Sequence, residues 1–92
     1  MFHEERSQVS ESTQDMNRAI DSLREEFEAI DSYNQRADAC TDLGLKHILL
    51  HNAKEEKEHA SMLLEWIRRN DPEMGHELKN TLFKEGIIGG EH

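Results

Sequence analysis

The chain has 92 residues, a formal net charge of −9 from 20 acidic and 11 basic residues, and an aromatic set of three Phe, one Trp and one Tyr. That length allows one small domain at most, and the acidic balance leaves no basic footprint for a nucleic-acid backbone. One Cys forms no internal disulfide, no apolar run approaches the ~18 residues of a membrane span, and the opening MFHEERSQVSE lacks an apolar signal core. The expectation is a soluble protein of a reducing, cytoplasmic compartment with no membrane partner.

One Pro and five Gly leave few places for turns, and four of those Gly fall near the C-terminus. Glu, Leu, Lys, Ala and Arg dominate, all good helix formers. The fold class is all-α. A first helix is expected from Ser10–Ser12, with Ser12 as its cap and Asp15 in a capping-box-like position. Its apolar residues recur at Met16, Ile20, Leu23, Phe27, Ile30, Tyr33 and Ala37, one stripe along a helix that ends near Ala39 or Cys40. Thr41, Asp42 and Gly44 make a turn, and Thr41 or Asp42 caps a second helix. Its stripe runs through Leu45, Leu49, Asn52, Glu56, His59, Leu63 and Trp66, and it stops near Asn70.

Asp71 then suits an N-cap and Pro72 a first helical position, so a short third helix is expected to about Lys84, with Gly86 as terminator. Residues 1–9 and 87–92 read as flexible flanks of a single helical unit spanning 10–86. A hairpin plus a short helix buries little apolar surface, and chains this small often oligomerise. Two hairpins packed together would make a four-helix bundle, so a homodimer at least is expected. The third helix is a candidate for contacts beyond the dimer.

The second stripe is interrupted in its middle. Glu56 and His59 are spaced i, i+3 and share a helical face that should be interior. An unpaired ion there costs several kcal/mol, and a metal removes the cost, because carboxylate and neutral imidazole both become ligands. The first helix supplies a match in Glu26, which borders its stripe. Glu26 lies 15 residues before Thr41 and Glu56 lies 15 after it. At ~1.5 Å rise per residue both stand ~22 Å from the turn, at one height in an antiparallel hairpin. Di-iron carboxylate bundles use a Glu from each of two helices and Glu-x-x-His from each of the other two. This chain carries half of that set, and a two-fold dimer would supply the rest. Four carboxylates neutralise two ferrous ions, so metal binding is expected to drive dimerisation.

At these residues the sequence resembles the encapsulated ferritins. The resemblance covers about residues 18–86 and rests on EEFEAIDSYNQRADAC (25–40), ILLHNAKEEKEHASMLLEWIRRNDPE (48–73) and LFKEG (82–86). It implies a protomer that dimerises to build a ferroxidase centre at the interface, five dimers forming an open ring, a decamer, and enclosure in an encapsulin protein shell. It implies Glu26, Glu56 and His59 of both subunits as di-iron ligands, and Tyr33 beside them as a further catalytic residue. Glu25 and Glu28 match acidic residues of a secondary metal site or a route of iron access. The implied reaction is oxidation of Fe²⁺ to Fe³⁺ by dioxygen or peroxide, in the service of iron storage and detoxification. Calcium, manganese or zinc could occupy the same ligands. Ser32 stands where the family pattern has an aromatic residue, and the sequence ends at GGEH without an obvious shell-docking peptide.

Plainer readings stand beside these. Glu55–Glu58 can be a solvated, ion-paired face, and Glu25 and Glu28 can be ordinary exposed acids. Tyr33 continues the apolar stripe and reads equally as a core tyrosine. His51 is either a neighbour of the ligands or an exposed helix residue. His3, His47, His76 and His92 show no persuasive partner spacing. Cys40 reads as a small buried residue, and Trp66 and the methionines as packing. A metal-binding module without turnover, or a structural helical-hairpin adaptor, is the competing function.

Overall fold

The computed structural model describes residues 2–90. A 3₁₀ turn, Arg6–Gln8, precedes three helices: α1 (Glu11–Ala39), α2 (Leu43–Asn70) and α3 (Pro72–Thr81). No strand occurs among the described residues. α1 and α2 are ~43 Å long at 1.5 Å per residue. They pack antiparallel across the three-residue connection Cys40–Asp42, and α3 folds back onto the end of α2.

Each helix starts on a side-chain cap. The Ser10 hydroxyl accepts from the Thr13 N–H at 3.2 Å, so the α1 cap is Ser10, two residues earlier than Ser12. Ser10 Oγ also contacts the Thr13 and Ser12 hydroxyls, both at 3.1 Å, which leaves Ser12 a partner of the cap. Asp42 caps α2 through the Leu45 N–H at 2.8 Å, and Asp71 caps α3 through the Met74 N–H at 3.0 Å, with Pro72 following it. Each cap satisfies an N–H that the helix cannot bond itself.

α3 ends at Thr81, about a turn short of Lys84. The Leu82 N–H closes the last bond onto the Leu78 carbonyl, and Phe83 then turns into the left-handed region at φ 58°. The helix has already ended at Leu82, whose backbone is extended, and Gly86, at φ 89°, belongs to the segment beyond the reversal. Before α1, Gln14 holds residues 6–9 against the helix by donating to the carbonyls of Val9 at 2.9 Å and Arg6 at 3.1 Å.

The molecule measures 50 × 40 × 18 Å. A thickness of 18 Å is a single layer of helices with their side chains. Such a layer has a seam rather than an enclosed core. Among the described residues only Ala19, Ala37, Ala53, Ala60 and Ile67 are buried. The alanines let the two backbones approach, while larger residues of the expected stripe lie half-buried beside them, Met16, Leu23, Ile30 and Leu63 among them. Ile20, Phe27, Leu45, Ile48 and Trp66 remain exposed. Part of the stripe therefore lines the hairpin's own seam, and Ile20, Phe27, Leu45 and Trp66 are turned to another face.

Candidate metal centre

The middle of the seam is where the charged residues enter. Glu26 comes from α1, and Glu56 and His59 from one turn of α2. The antiparallel pairing about residue 41 brings them level. Each offers a ligand atom, and the three atoms lie within 4.8 Å of one another. His59 Nδ1 stands 3.5 Å from Glu56 Oε2 and 3.7 Å from Glu26 Oε2. These separations are ion-pair contacts, too long for good hydrogen bonds.

The two carboxylates are mostly covered, with side chains 22% and 24% exposed, whereas His59 is 49% exposed. Glu26 Oε2 has no accessible surface and no hydrogen-bond partner. Leaving a buried acceptor unmade costs ~1–3 kcal/mol, and more when it is charged. The cluster thus carries an unmet demand for positive charge, open on the side where His59 meets solvent. Donors ~2.0–2.2 Å from one cation stand ~3–4 Å apart, which is the spacing of these oxygens about the imidazole nitrogen. Two carboxylates and one imidazole form a predominantly hard, oxygen-rich set that fits iron, with manganese and zinc also accommodated.

Tyr33, Glu25 and Glu28 lie elsewhere on α1. They line a shallow groove with Ala29, Ser32 and Arg36, on a face adjacent to the cluster. The Arg36 guanidinium stands over the Tyr33 ring, 5.7 Å from its centroid. Ser32 puts a hydroxyl, not a ring, on that groove. Within the protomer, Glu26, Glu56 and His59 converge, while Tyr33 groups with the acidic pair.

The other candidates are local. His51 is exposed, its Nε2 3.4 Å from Glu55 Oε1. Cys40 is half-buried, its thiol reaching the Asp42 carbonyl at 3.5 Å. His76 pairs with Asn80 at 2.9 Å. Met1, Glu91 and His92 lie outside the described residues. Sequence reasoning passed over Glu65, whose carboxylate is gripped by Arg68 Nε and Nη2 and by Arg69 Nε, all at 2.7 Å. The hydrogen bonds from Arg68, then Arg69, hold its pKa down at about 2. The i, i+3 and i, i+4 spacing of these residues was the available signal.

A single-layer helical hairpin with two glutamates and a histidine converging at mid-height defines a ferritin-like fold with a carboxylate–histidine cluster that could hold a metal ion. A family model described as EncFtn-like matches residues 1–85, and the chain belongs to that family. It is 52% identical over 86 residues to an encapsulated ferritin-like protein of Rhodospirillum rubrum, covering 94% of this chain and 61% of that one. It is 36% identical over 72 residues to an encapsulin nanocompartment cargo protein of Myxococcus xanthus, covering 76% of this chain and 55% of that one. A crystal structure of a Nitrosomonas europaea protein superposes with a TM-score of 0.92 at 57% identity, covering 97% of this chain and 98% of that one. The chain thus spans between half and two thirds of the length of these two curated relatives. None of its described helices is long and apolar enough to cross a membrane.

Proposed function

We propose that the chain is a ferroxidase whose working site is built by two copies. Each protomer contributes Glu26, Glu56 and His59, and a two-fold pairing of hairpins completes a di-iron carboxylate site inside a four-helix bundle. The observation that carries this reading is the buried, unpartnered Oε2 of Glu26 facing an imidazole and a second carboxylate. Fe²⁺ is the substrate. Dioxygen taken to water accepts four electrons, one from each of four Fe²⁺, and consumes four protons. Peroxide accepts two electrons from two Fe²⁺.

The residues have separate tasks. Glu26 and Glu56 bind cations and neutralise their charge in a half-covered seam, where an ion pair is worth more than in water. His59 adds one nitrogen ligand per protomer and, being half-exposed, stands at the open side of the cluster. Tyr33, Glu25 and Glu28 form a neighbouring acidic groove that concentrates cations near the site. The dimer reading is supported by the exposed apolar flank, Ile20, Phe27, Ile48 and Trp66, which a second hairpin would cover. Assembly of dimers into a ring, and residence in an encapsulin shell, are proposed on the strength of the encapsulated relatives.

The test joins mass and turnover. Metal-free protein receives Fe²⁺ anaerobically while oligomer mass is followed, and air is then admitted. Metal-dependent assembly, with Fe³⁺ absorbance rising beyond two irons per dimer, is the expected result. Assembly without turnover would leave a metal store, and neither effect would leave the adaptor reading.

A further inference from the structure

Tyr33 is the only tyrosine of the chain, and Arg36 follows it by one turn of α1. The guanidinium lies over the phenol ring, 5.7 Å from its centroid, within the range of a cation–π contact. Glu25 and Glu28 line the same groove. Among the described residues neither forms an ion pair with Arg36, and no hydrogen bond fixes the Tyr33 hydroxyl. The stack is therefore the contact that both side chains make.

The direction of the ring follows from helix geometry. Side chains of an α-helix lean towards its N-terminus. Arg36, Tyr33, Ala29 and Glu25 are spaced three, four and four residues, which is one row along α1. Arg36 thus leans over Tyr33, and Tyr33 is directed over Ala29, whose methyl leaves the ring room, towards the two acids. Ser32 beside it is too small to hold a ring. Tyr33 is half-buried and Arg36 is exposed, so the guanidinium covers the solvent side of the phenol. A plainer role for Arg36 is its place in the last turn of α1, where any cation suits the carbonyl end of the helix. That role needs a charge and not a stack, so the two can be separated.

We propose that Arg36 is a positioning residue for Tyr33, holding the phenol in the acidic groove beside Glu25 and Glu28. Its part in iron oxidation rests on the ferroxidase reading above; the stack itself does not. A fixed ring presents its hydroxyl to ions in the groove, whereas a loose ring does so only part of the time. The guanidinium also places a positive charge where cations gather, which opposes their capture. Removing Arg36 therefore slows turnover without weakening Fe²⁺ capture, a pairing that general damage to the site does not produce.

The test reads the ring and the reaction in the full chain. With ¹³C-labelled tyrosine, Tyr33 alone supplies the ring signals in NMR spectra of the metal-free protein. In Arg36→Gln those signals should move towards the values of a solvent-exposed tyrosine. The kcat of iron oxidation should fall by up to ~5-fold, the range that an exposed cation–π contact supports, and KM for Fe²⁺ should not rise. Adding Asp38→Asn, at an exposed position, restores the charge balance at the end of α1 without restoring the stack. Melting temperature should then recover while the ring signals and kcat do not. Recovery of all three would make Arg36 a helix-end charge and overturn the proposal. Unmoved ring signals in Arg36→Gln, or moved signals with an unchanged kcat, would also overturn it. Because the ring is read without metal, a parent chain that never oxidises iron sinks the ferroxidase reading, and unmoved ring signals sink this one.

Discussion

Two stretches of the hairpin treat their carboxylates in opposite ways. At the α2–α3 end Glu65 and Asp71 are both spoken for. Glu65 receives three hydrogen bonds from Arg68 and Arg69, Asp71 caps α3, and the Asn70 amide closes onto the Trp66 carbonyl at 2.9 Å. At mid-height Glu26 and Glu56 are more deeply covered than Glu65 yet meet His59 only at ion-pair distance, and one oxygen of Glu26 has no hydrogen-bond partner. The contrast separates acids that hold the fold from acids that the fold holds in readiness. Pairing within the chain marks the first kind, and burial without pairing marks the second.

The largest effect that would break this contrast is at mid-height. Glu26→Gln should lower the rate of iron oxidation more than ~100-fold, beyond what loss of a mere supporting partner costs. Its metal-free melting temperature should not fall, because the substitution removes an unmet charge. A variant that melts much earlier while still oxidising iron would make Glu26 structural. Ala53→Leu should touch both regions at once. Overpacking a closed seam costs ~1–3 kcal/mol, and splaying the helices separates Glu26 from Glu56, so melting temperature and iron oxidation should drop together.

The C-terminal joint should respond in stability alone. Asp71→Ala removes the α3 cap, a loss of ~1 kcal/mol, and should leave iron oxidation within twofold of the parent. Gly75→Ala acts at the same joint, since an added Cβ would stand 3.0 Å from the Arg68 carbonyl oxygen. The α3 backbone must then shift away from α2, and amide exchange in α3 should quicken. The smallest effect is in the pH dependence. The Glu65 carboxyl is lowered from 4.5 to about 2. Its contribution to stability is therefore complete above pH 4.5 and is lost as the pH falls towards 2. NMR titration of that carboxyl should show a midpoint near 2, and a midpoint near 4.5 would dismiss the Arg68–Arg69 grip.

The sequence made the helices, their order and the level of the metal cluster legible. Spacing and capping chemistry are local properties, and Asp42, Asp71 and Pro72 act over three or four residues. Register about residue 41 follows from simple helical rise, so Glu26 and Glu56 could be matched without coordinates. The seam was less legible. The expected stripe includes Ala37, which is buried, but it also gives weight to Ile20 and Phe27, which stay exposed, and leaves out Ala19, Ala53 and Ala60, on which α1 and α2 close. Hydrophobic size marks surface that some neighbour must cover, and within a protomer only one neighbour is present. α3 ends where Leu82 turns extended, and neither that nor the reversal at Phe83 after it is announced by residue type, since positive φ is unusual for an aromatic residue. The Arg36–Tyr33 stack is likewise a matter of rotamers, which spacing permits but does not impose.

The alanine seam works as a gauge. Side chains of one carbon fix how closely two long helices approach, and that approach fixes how far Glu26 must reach to meet Glu56 and His59. Outer positions of the hairpin can change size with little effect on this distance. The seam positions cannot gain volume without moving Glu26 away from Glu56 and His59. The distance between Glu26 and its partners on α2 is therefore most sensitive at four small residues that lie outside the cluster.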